Sequence, residues 1–175
     1  YHPGTPLETK ALGGVDLTVE PGTWVAVVGQ TGSGKSTLAQ HLNALLLPTS
    51  GSVEVDGIST TAAASALRIV RRKVGLVFQY PEHQLFAESV LEEMAFGPRN
   101  WKFSEEDIRE TTTRTMKLLG LPEELLTRSP FQLSGGQKRR LCIASVLAAR
   151  PDYLVLDEPT AGMDAPGRRE LLGLL

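Results

Sequence analysis

GQTGSGKST, Gly29 to Thr37, is the stretch on which the fold turns. It satisfies the spacing G-x-x-x-x-G-K-[ST] at Gly29, Gly34, Lys35 and Ser36. An apolar run, TWVAVVG (23–29), enters it and reads as a buried strand. STLAQHLNALL leaves it and predicts a helix over 35–46. The glycines let successive backbone N–H groups turn inward around a phosphate, and the helix N-terminus adds its partial positive charge. The expected cradle is Gly29, Gln30, Thr31, Gly32, Ser33, Gly34, Lys35, Ser36 and Thr37, holding a nucleoside di- or triphosphate. Lys35 would bring charge to the β/γ-phosphates, and Ser36 would offer its hydroxyl to Mg²⁺. A chance Gly/Ser turn ending in Lys-Ser would not need a strand before it and a helix after it.

Outward from the loop, VDLTV (15–19) alternates apolar and polar residues as a half-buried antiparallel strand does. GSVEVDG (51–57) reads as a short strand bounded by turn glycines. KVGLVFQ (73–79) and YLVLDE (153–158) are buried strands with polar groups at their C-terminal ends. Between these two the chain is almost wholly helical. Ser89 with Glu92 fits a capping box, Ser104 heads an acidic first turn, and Leu118-Leu119-Gly120 ends the helix it starts. The tract TTAAASA (60–66) is also helical in character. The expectation is an α/β fold: a P-loop (RecA-like) core with a parallel sheet, N-terminal antiparallel β strands and an inserted α-helical subdomain. It forms a single domain over 1–175, with a core lobe at about 1–80 and 151–175 and a helical subdomain at about 81–150.

Two adjacent carboxylates end YLVLDE. Neighbours on a strand point to opposite faces, so Asp157 and Glu158 take different tasks while the strand stays extended. Asp157 suits the Mg²⁺ side; Glu158, at the strand exit, suits orienting or deprotonating an attacking water. Gln79 ends the other strand with an uncharged amide able to reach metal or water. A different puzzle lies at FQLSGGQKRRLCIASVLAARPD (131–152), where a helix from Gln137 to Ala149 is preceded by two glycines. Each costs about 1 kcal/mol in a helix relative to Ala. Ser134 and Gln137 satisfy S-x-x-Q, a capping box, which explains them but not Gly135 and Gly136. Bare backbone at a helix N-terminus is an anion site, so Ser134-Gly135-Gly136 reads as a second phosphate-contacting surface. Lys138, Arg139 and Arg140 add local positive charge or form a solvated face. Whether this surface meets the phosphate loop of its own chain or of another stays open.

Composition narrows the field. A chain of 175 residues has 20 acidic and 18 basic side chains and a net charge of −2, a poor footprint for a dedicated nucleic-acid binder. No apolar run approaches the ~18 residues of a membrane span, so a partner would hold the protein at any membrane where it works. Cys142 is the single cysteine and reads as a small buried apolar residue.

Taken in order, GQTGSGKST, Gln79, LSGGQ and LVLDEP resemble the ATP-binding-cassette (ABC) ATPases over essentially the whole chain. In that family two cassettes pair head to tail, and each signature closes on the ATP held by the other. The resemblance implies ATP and Mg²⁺ as cofactors, ATP hydrolysis, and contact of Ser134, Gly135, Gly136 and Gln137 with a partner's nucleotide. It further implies that TAGMD (160–164) crosses the dimer seam with Asp164 as its acid, Met163 standing where Leu is usual. Tyr1 sits at about the spacing of the aromatic that stacks on adenine. A nearer resemblance runs through YHPGTPLETKAL, FQYPEHQLF and EEMAFGPRN, which are similar to the second ATPase subunit of energy-coupling factor (ECF) transporters, importers of vitamins or metal ions. It implies a second ATPase subunit, identical or paralogous, an integral membrane T component and a substrate-binding S component, with YPEHQLF near the T component's coupling helices. The place of work would be the cytoplasmic face of the cell membrane, peripherally. His41 and His83 read as structural or interface residues rather than metal ligands.

The ends depart from the family pattern. A first strand and a C-terminal region with a switch histidine are expected and not present, so the chain reads as truncated at both ends. A soluble ABC-type ATPase acting on nucleic acid or ribosomes is the alternative function. The coiled coil of DNA-repair types does not occur between phosphate loop and signature.

Overall fold

The computed structural model describes residues 10–61 and 63–175. Helix α1, Lys35–Leu42, starts at the phosphate loop with Gly34 as its N-cap. It is shorter than the sequence suggests, because Ala44 turns to φ 56°. A two-residue hairpin follows, β1 (Glu54–Val55) antiparallel to β2 (Ile58–Ser59), across Asp56 and Gly57 at φ 48° and 74°. Helix α2, Ala64–Lys73, runs straight into β3, Val74–Val77, so the helical tract expected at 60–66 lies mostly C-terminal of its anticipated place.

Strand β3 pairs in parallel with β4, Tyr153–Leu156, in the register Val74↔Tyr153 to Val77↔Leu156. Their crossover is the helical insertion: α3 (Val90–Asn100), α4 (Glu105–Leu118) and α5 (Gly135–Ala148), with α6 (Ala165–Leu174) after β4. Ser89 and Ser104 cap α3 and α4 by accepting from the amides of Glu92 and Asp107. Only half of the expected Ser89/Glu92 box forms, since the Glu92 carboxylate goes to Arg99 instead. The main core gathers Val77, Met94, Met116, Leu119, Leu141, Ile143 and Leu171 from β3 and all four later helices. α4 contributes threonines as well as apolar residues, and Thr111 donates to the Ala148 carbonyl of α5 at 3.0 Å.

The expected strands 15–19 and 23–29 do not pair. Both segments are exposed, with Trp24 81% and Val28 90% accessible. A parallel strand is stabilised by ladders on its edges and cover on its faces, and the only ladders among the described residues are the two above. The apolar run is thus irregular, exposed chain leading to the loop, outside the ladders of the described residues.

An ion cluster ties the hairpin to the sheet. Lys73 Nζ donates to Asp56 Oδ2 (2.7 Å) and Asp152 Oδ2 (2.8 Å), and the Tyr153 hydroxyl donates to Asp56 Oδ1 (2.6 Å). Hydrogen bonds from Lys73 and then Tyr153 hold the Asp56 carboxyl below its ordinary value. A lowered carboxyl contributes stability in full above its unfolded value of about 4 and loses it as pH falls through the folded value. The melting temperature of the wild type should therefore fall more steeply from pH 5 to pH 3 than that of Asp56→Asn. Equal slopes in differential scanning calorimetry would rule this cluster out as a contributor.

Candidate functional site

Three of the anticipated residues meet at the C-terminal ends of the paired strands, where α/β folds place their ligands. The Asp157 amide donates to the Val77 carbonyl at 2.9 Å, extending the ladder one residue past β4. Asp157 is only 8% exposed. Glu158 then turns to φ 48°, so the second carboxylate leaves the strand line and faces solvent. The divergence expected from strand alternation is sharpened by this turn. Gln79, two residues beyond β3, donates from Nε2 to Glu158 Oε2 at 2.8 Å. Lys35 Nζ stands 3.8 Å from Glu158 Oε1.

The phosphate loop is closed on itself. Lys35 Nζ donates to the carbonyls of Gly29 (2.9 Å) and Gln30 (3.0 Å). Gly34 is fixed twice over: its φ is 93°, and a Cβ there would lie 2.7 Å from the Ala11 carbonyl and 2.8 Å from Leu12 Cδ2. Gly32 sits at φ 82°. Ser36 lies in the first turn of α1 beside Lys35. Behind it, His41 Nδ1 bonds the Thr37 carbonyl at 2.7 Å, which makes it part of the helix scaffold. Tyr1 lies outside the described residues.

At the other candidate surface the capping box is complete. Ser134 Oγ accepts from the Gln137 amide and Gln137 Oε1 accepts from the Ser134 amide. The box starts α5 at Gly135, two residues before the sequence suggests. Among the described residues nothing stands within 4 Å of a Cβ built at Gly135 or Gly136, and neither has positive φ. The chain's own packing and backbone therefore do not require glycine at either position. Both line a cleft with Gly162, Met163 and Asp164. Asp164 caps α6, its Oδ1 accepting from the Gly167 amide at 2.9 Å. No hydrogen bond or ion pair among the described residues joins this cleft to the phosphate loop.

The basic residues behind the glycines behave differently from expectation. Arg140 reaches Glu170 at 3.1 Å. Arg139 is turned inward and buried, with Nη2 to Glu82 Oε1 at 2.9 Å, Nε to Glu82 Oε2 at 3.3 Å, and Nη1 to the Ala161 carbonyl at 2.6 Å. Two of the three cations are neutralised by the fold. Glu82 carries no signal in the sequence, and nothing local marks Arg139 as its partner; an amphipathic pattern cannot flag partners 57 positions apart. Burial works to raise the Glu82 carboxyl, and the Arg139 hydrogen bonds and a backbone amide outweigh it, leaving it lowered.

The family described as ABC transporter matches residues 12–161. The energy-coupling factor transporter ATP-binding protein EcfA2 of Lactiplantibacillus plantarum is 55% identical over 98% of this chain and 59% of its own length. EcfA2 of Symbiobacterium thermophilum is 52% identical over 100% of this chain and 61% of its own. The chain thus spans about three fifths of the length of these curated relatives. Among solved structures, cbiO1 from Clostridium perfringens, part of the ABC transporter complex cbiONQ, superposes with a TM-score of 0.83 at 39% identity, covering 94% of this chain and 65% of that one. A dimeric ATP-binding cassette in a post-hydrolysis state with ADP and Pi gives 0.81 at 34% identity, covering 94% and 72%. With the family matched across the phosphate loop, both strand ends and the SGG helix start, this chain belongs to the ABC transporter family, and its fold is that of the ATP-binding cassettes.

Proposed function

We propose that this chain is the ATP-binding and hydrolysing part of a subunit that powers an ECF-type importer of vitamins or metal ions. The observation that carries the reading is the meeting of Lys35, Gln79 and Glu158, from three separate segments, at the ends of β3 and β4. A cation, an amide and a carboxylate at the mouth of a glycine loop are what phosphoryl transfer to water asks of a protein. Triphosphate draws Lys35 from its own loop carbonyls onto the β/γ-phosphates, while the loop amides from Gly29 to Thr37 wrap the rest. Glu158, held by Gln79, orients or deprotonates the attacking water.

The donor set suits Mg²⁺. Ser36, Gln79 and the buried Asp157 would hold it through hydroxyl, amide and carboxylate oxygens, and no group of three His, Cys, Asp or Glu among the described residues competes as a metal cage. When bound, the ion spreads the charge of the transferring phosphoryl group. Ser134, Gly135, Gly136 and Gln137 present their amide-lined entrance to the nucleotide of a second ATPase subunit, identical or paralogous. Asp164 stands at the same seam. Nucleotide-driven closure of the two cassettes is the power stroke.

Partners follow from the same reading: a second ATPase, an integral membrane T component and a substrate-binding S component, at the cytoplasmic face of the membrane. No helix among the described residues is long and apolar enough to cross a membrane. The segment Tyr80–Phe86 and the exposed Phe86–Phe96 pair, edge to face at 4.8 Å, offer a surface to those partners. The helices α3 to α5 form the lobe at about 81–150 that carries both this surface and the signature. The likeness to EcfA2 proteins supports the transporter reading over the nucleic-acid or ribosome alternative.

Lys35→Ala in the full-length protein should weaken ATP binding at least ~10-fold, because the one cation of the cradle is lost. Unchanged affinity by calorimetry counts against the cradle. Purification of the full-length protein from detergent-solubilised membranes, with identification of what accompanies it, tests the partners; recovery with ribosomes or nucleic acid instead would overturn them.

A further inference from the structure

A cavity of about 250 Å³ opens between β3 and the helices α3 and α5, and none of the nucleotide candidates lines it. Two glycines shape it. A Cβ at Gly75 would stand 2.6 Å from Val146 Cγ1 and 3.0 Å from Pro151 Cγ, so β3 lies directly against the end of α5 and the chain after it. At Gly97 the nearest atom to a Cβ is that of Ala149, at 3.4 Å. Phe78, Phe96 and Val146 give the cavity apolar walls. Its charged lining is Arg71, Arg72 and Glu93. Glu93 is buried, and its Oε2 already accepts from the Phe86 and Ala87 amides at 3.1 and 3.0 Å. Arg71 and Arg72 are exposed, at the mouth. Three consecutive cations end α2, where they complement the helix dipole, but they are used differently. Lys73 holds two carboxylates; among the described residues Arg71 and Arg72 hold none. Both are nevertheless fixed. Arg71 Nη2 donates to the Ala44 carbonyl at 2.9 Å, and the Arg72 guanidinium lies 6.0 Å from the centre of the Phe103 ring. Trp101, also on the wall, carries the Arg68 guanidinium 5.7 Å above its ring.

We propose that this cavity binds a small amphipathic carboxylate, its charge on Arg71 and Arg72 and its apolar body against Phe78, Phe96 and Val146. Charge sets the orientation. A carboxylate turned inward would meet Glu93 in a buried wall. At the mouth it meets two guanidinium forks, whose planar donors match a carboxylate bidentately. Volume sets the body. An apolar cavity of about 150 Å³ accepts benzene, so an aromatic ring with a short tether to the charge fits here. A cation of the same shape is repelled at the mouth, and a neutral amide forgoes the charge of the two forks. The inference goes beyond the function proposed above and does not depend on it.

Titration of the full-length protein with 3-phenylpropanoate, followed by calorimetry and by tryptophan emission, tests it. The acid should bind with a Kd of about 1 mM or below, within reach of a ligand of that size. The neutral 3-phenylpropanamide should bind at least ~10-fold more weakly, because charge-assisted hydrogen bonds are lost, and 3-phenylpropylamine should not bind. Arg72→Gln should weaken the acid ~10-fold, and Arg71→Gln combined with Arg72→Gln should erase the preference for acid over amide. Both side chains are exposed, so the replacements leave the core untouched. The acid should change the emission of the wild type and not that of Trp101→Phe, in which calorimetric binding remains. Saturating ATP should not displace it. No binding up to about 10 mM, equal affinity for acid and amide, or an undiminished preference in the double arginine variant overturns the proposal. So does an emission unaltered by the acid, or altered equally in Trp101→Phe. Displacement by ATP would assign the acid to the phosphate loop and overturn it as well.

Discussion

Glu158→Gln in the full-length protein is expected to lower ATP turnover by about 10²–10⁴-fold, the span that general acid–base groups supply, while ATP affinity is retained. The geometry explains why the two should separate. Glu158 is swung off the strand at φ 48° and exposed, so its carboxylate bears no part of the core. Its contact with Lys35 at 3.8 Å is long and partly solvated, and its loss leaves the lysine with two carbonyls of its own loop. An amide of the same size keeps a partner for Gln79 but accepts no proton from water. Positive φ costs a non-glycine residue of order 1–3 kcal/mol and is found where a site demands it; Gln carries the same cost, so folding is unaffected. Single-turnover kinetics beside equilibrium nucleotide binding make the comparison. Hydrolysis at the wild-type rate would remove Glu158 from the mechanism.

How much of this was legible beforehand follows from how local each signal is. Ser104 and Ser134 announce their helices because a cap is decided within four residues, and both accept the amide that the spacing predicts. The strands 74–77 and 153–156 were legible as apolar runs, and a helical stretch between them implies a parallel crossover. That crossover alone brings Gln79 beside Glu158, so the core of the candidate site was readable once the pairing was guessed. TWVAVVG misled because an apolar run reports a preference for a sheet, not the presence of a neighbour to pair with, and Val28 stands exposed. Arg139 misled in the opposite sense. In KRR it looks like one of three surface cations, and its role depends on a carboxylate 57 residues away and on two loop carbonyls. Charge on a helix is local information; its burial is tertiary.

Gly136→Asp should raise stability slightly and lower ATP turnover roughly 10²–10³-fold, the loss typical of removing one transition-state donor. The two changes have opposite signs for one physical reason. Among the described residues nothing lies within 4 Å of a Cβ at Gly136, and its backbone is ordinary helix, so a side chain enters without clash or strain. Replacing glycine there removes unfolded-state freedom worth about 0.4–1 kcal/mol, and a carboxylate in the first turn complements the helix dipole. By folding criteria alone, glycine is the wrong residue. Under the function proposed above, what it supplies is reach: backbone without a side chain at the helix entrance, beside Gly135 in the cleft with Gly162 and Asp164. A carboxylate at that spot meets an incoming phosphate with like charge and added bulk. Gly136→Ala isolates the bulk from the charge and should fall between wild type and Asp in rate while matching or exceeding the wild type in melting temperature. Thermal melts and ATPase rates on the same preparations give both signs at once. A faster or unchanged ATPase in Gly136→Asp would mean that no phosphate comes to this helix entrance, and the two glycines would lose their only explanation.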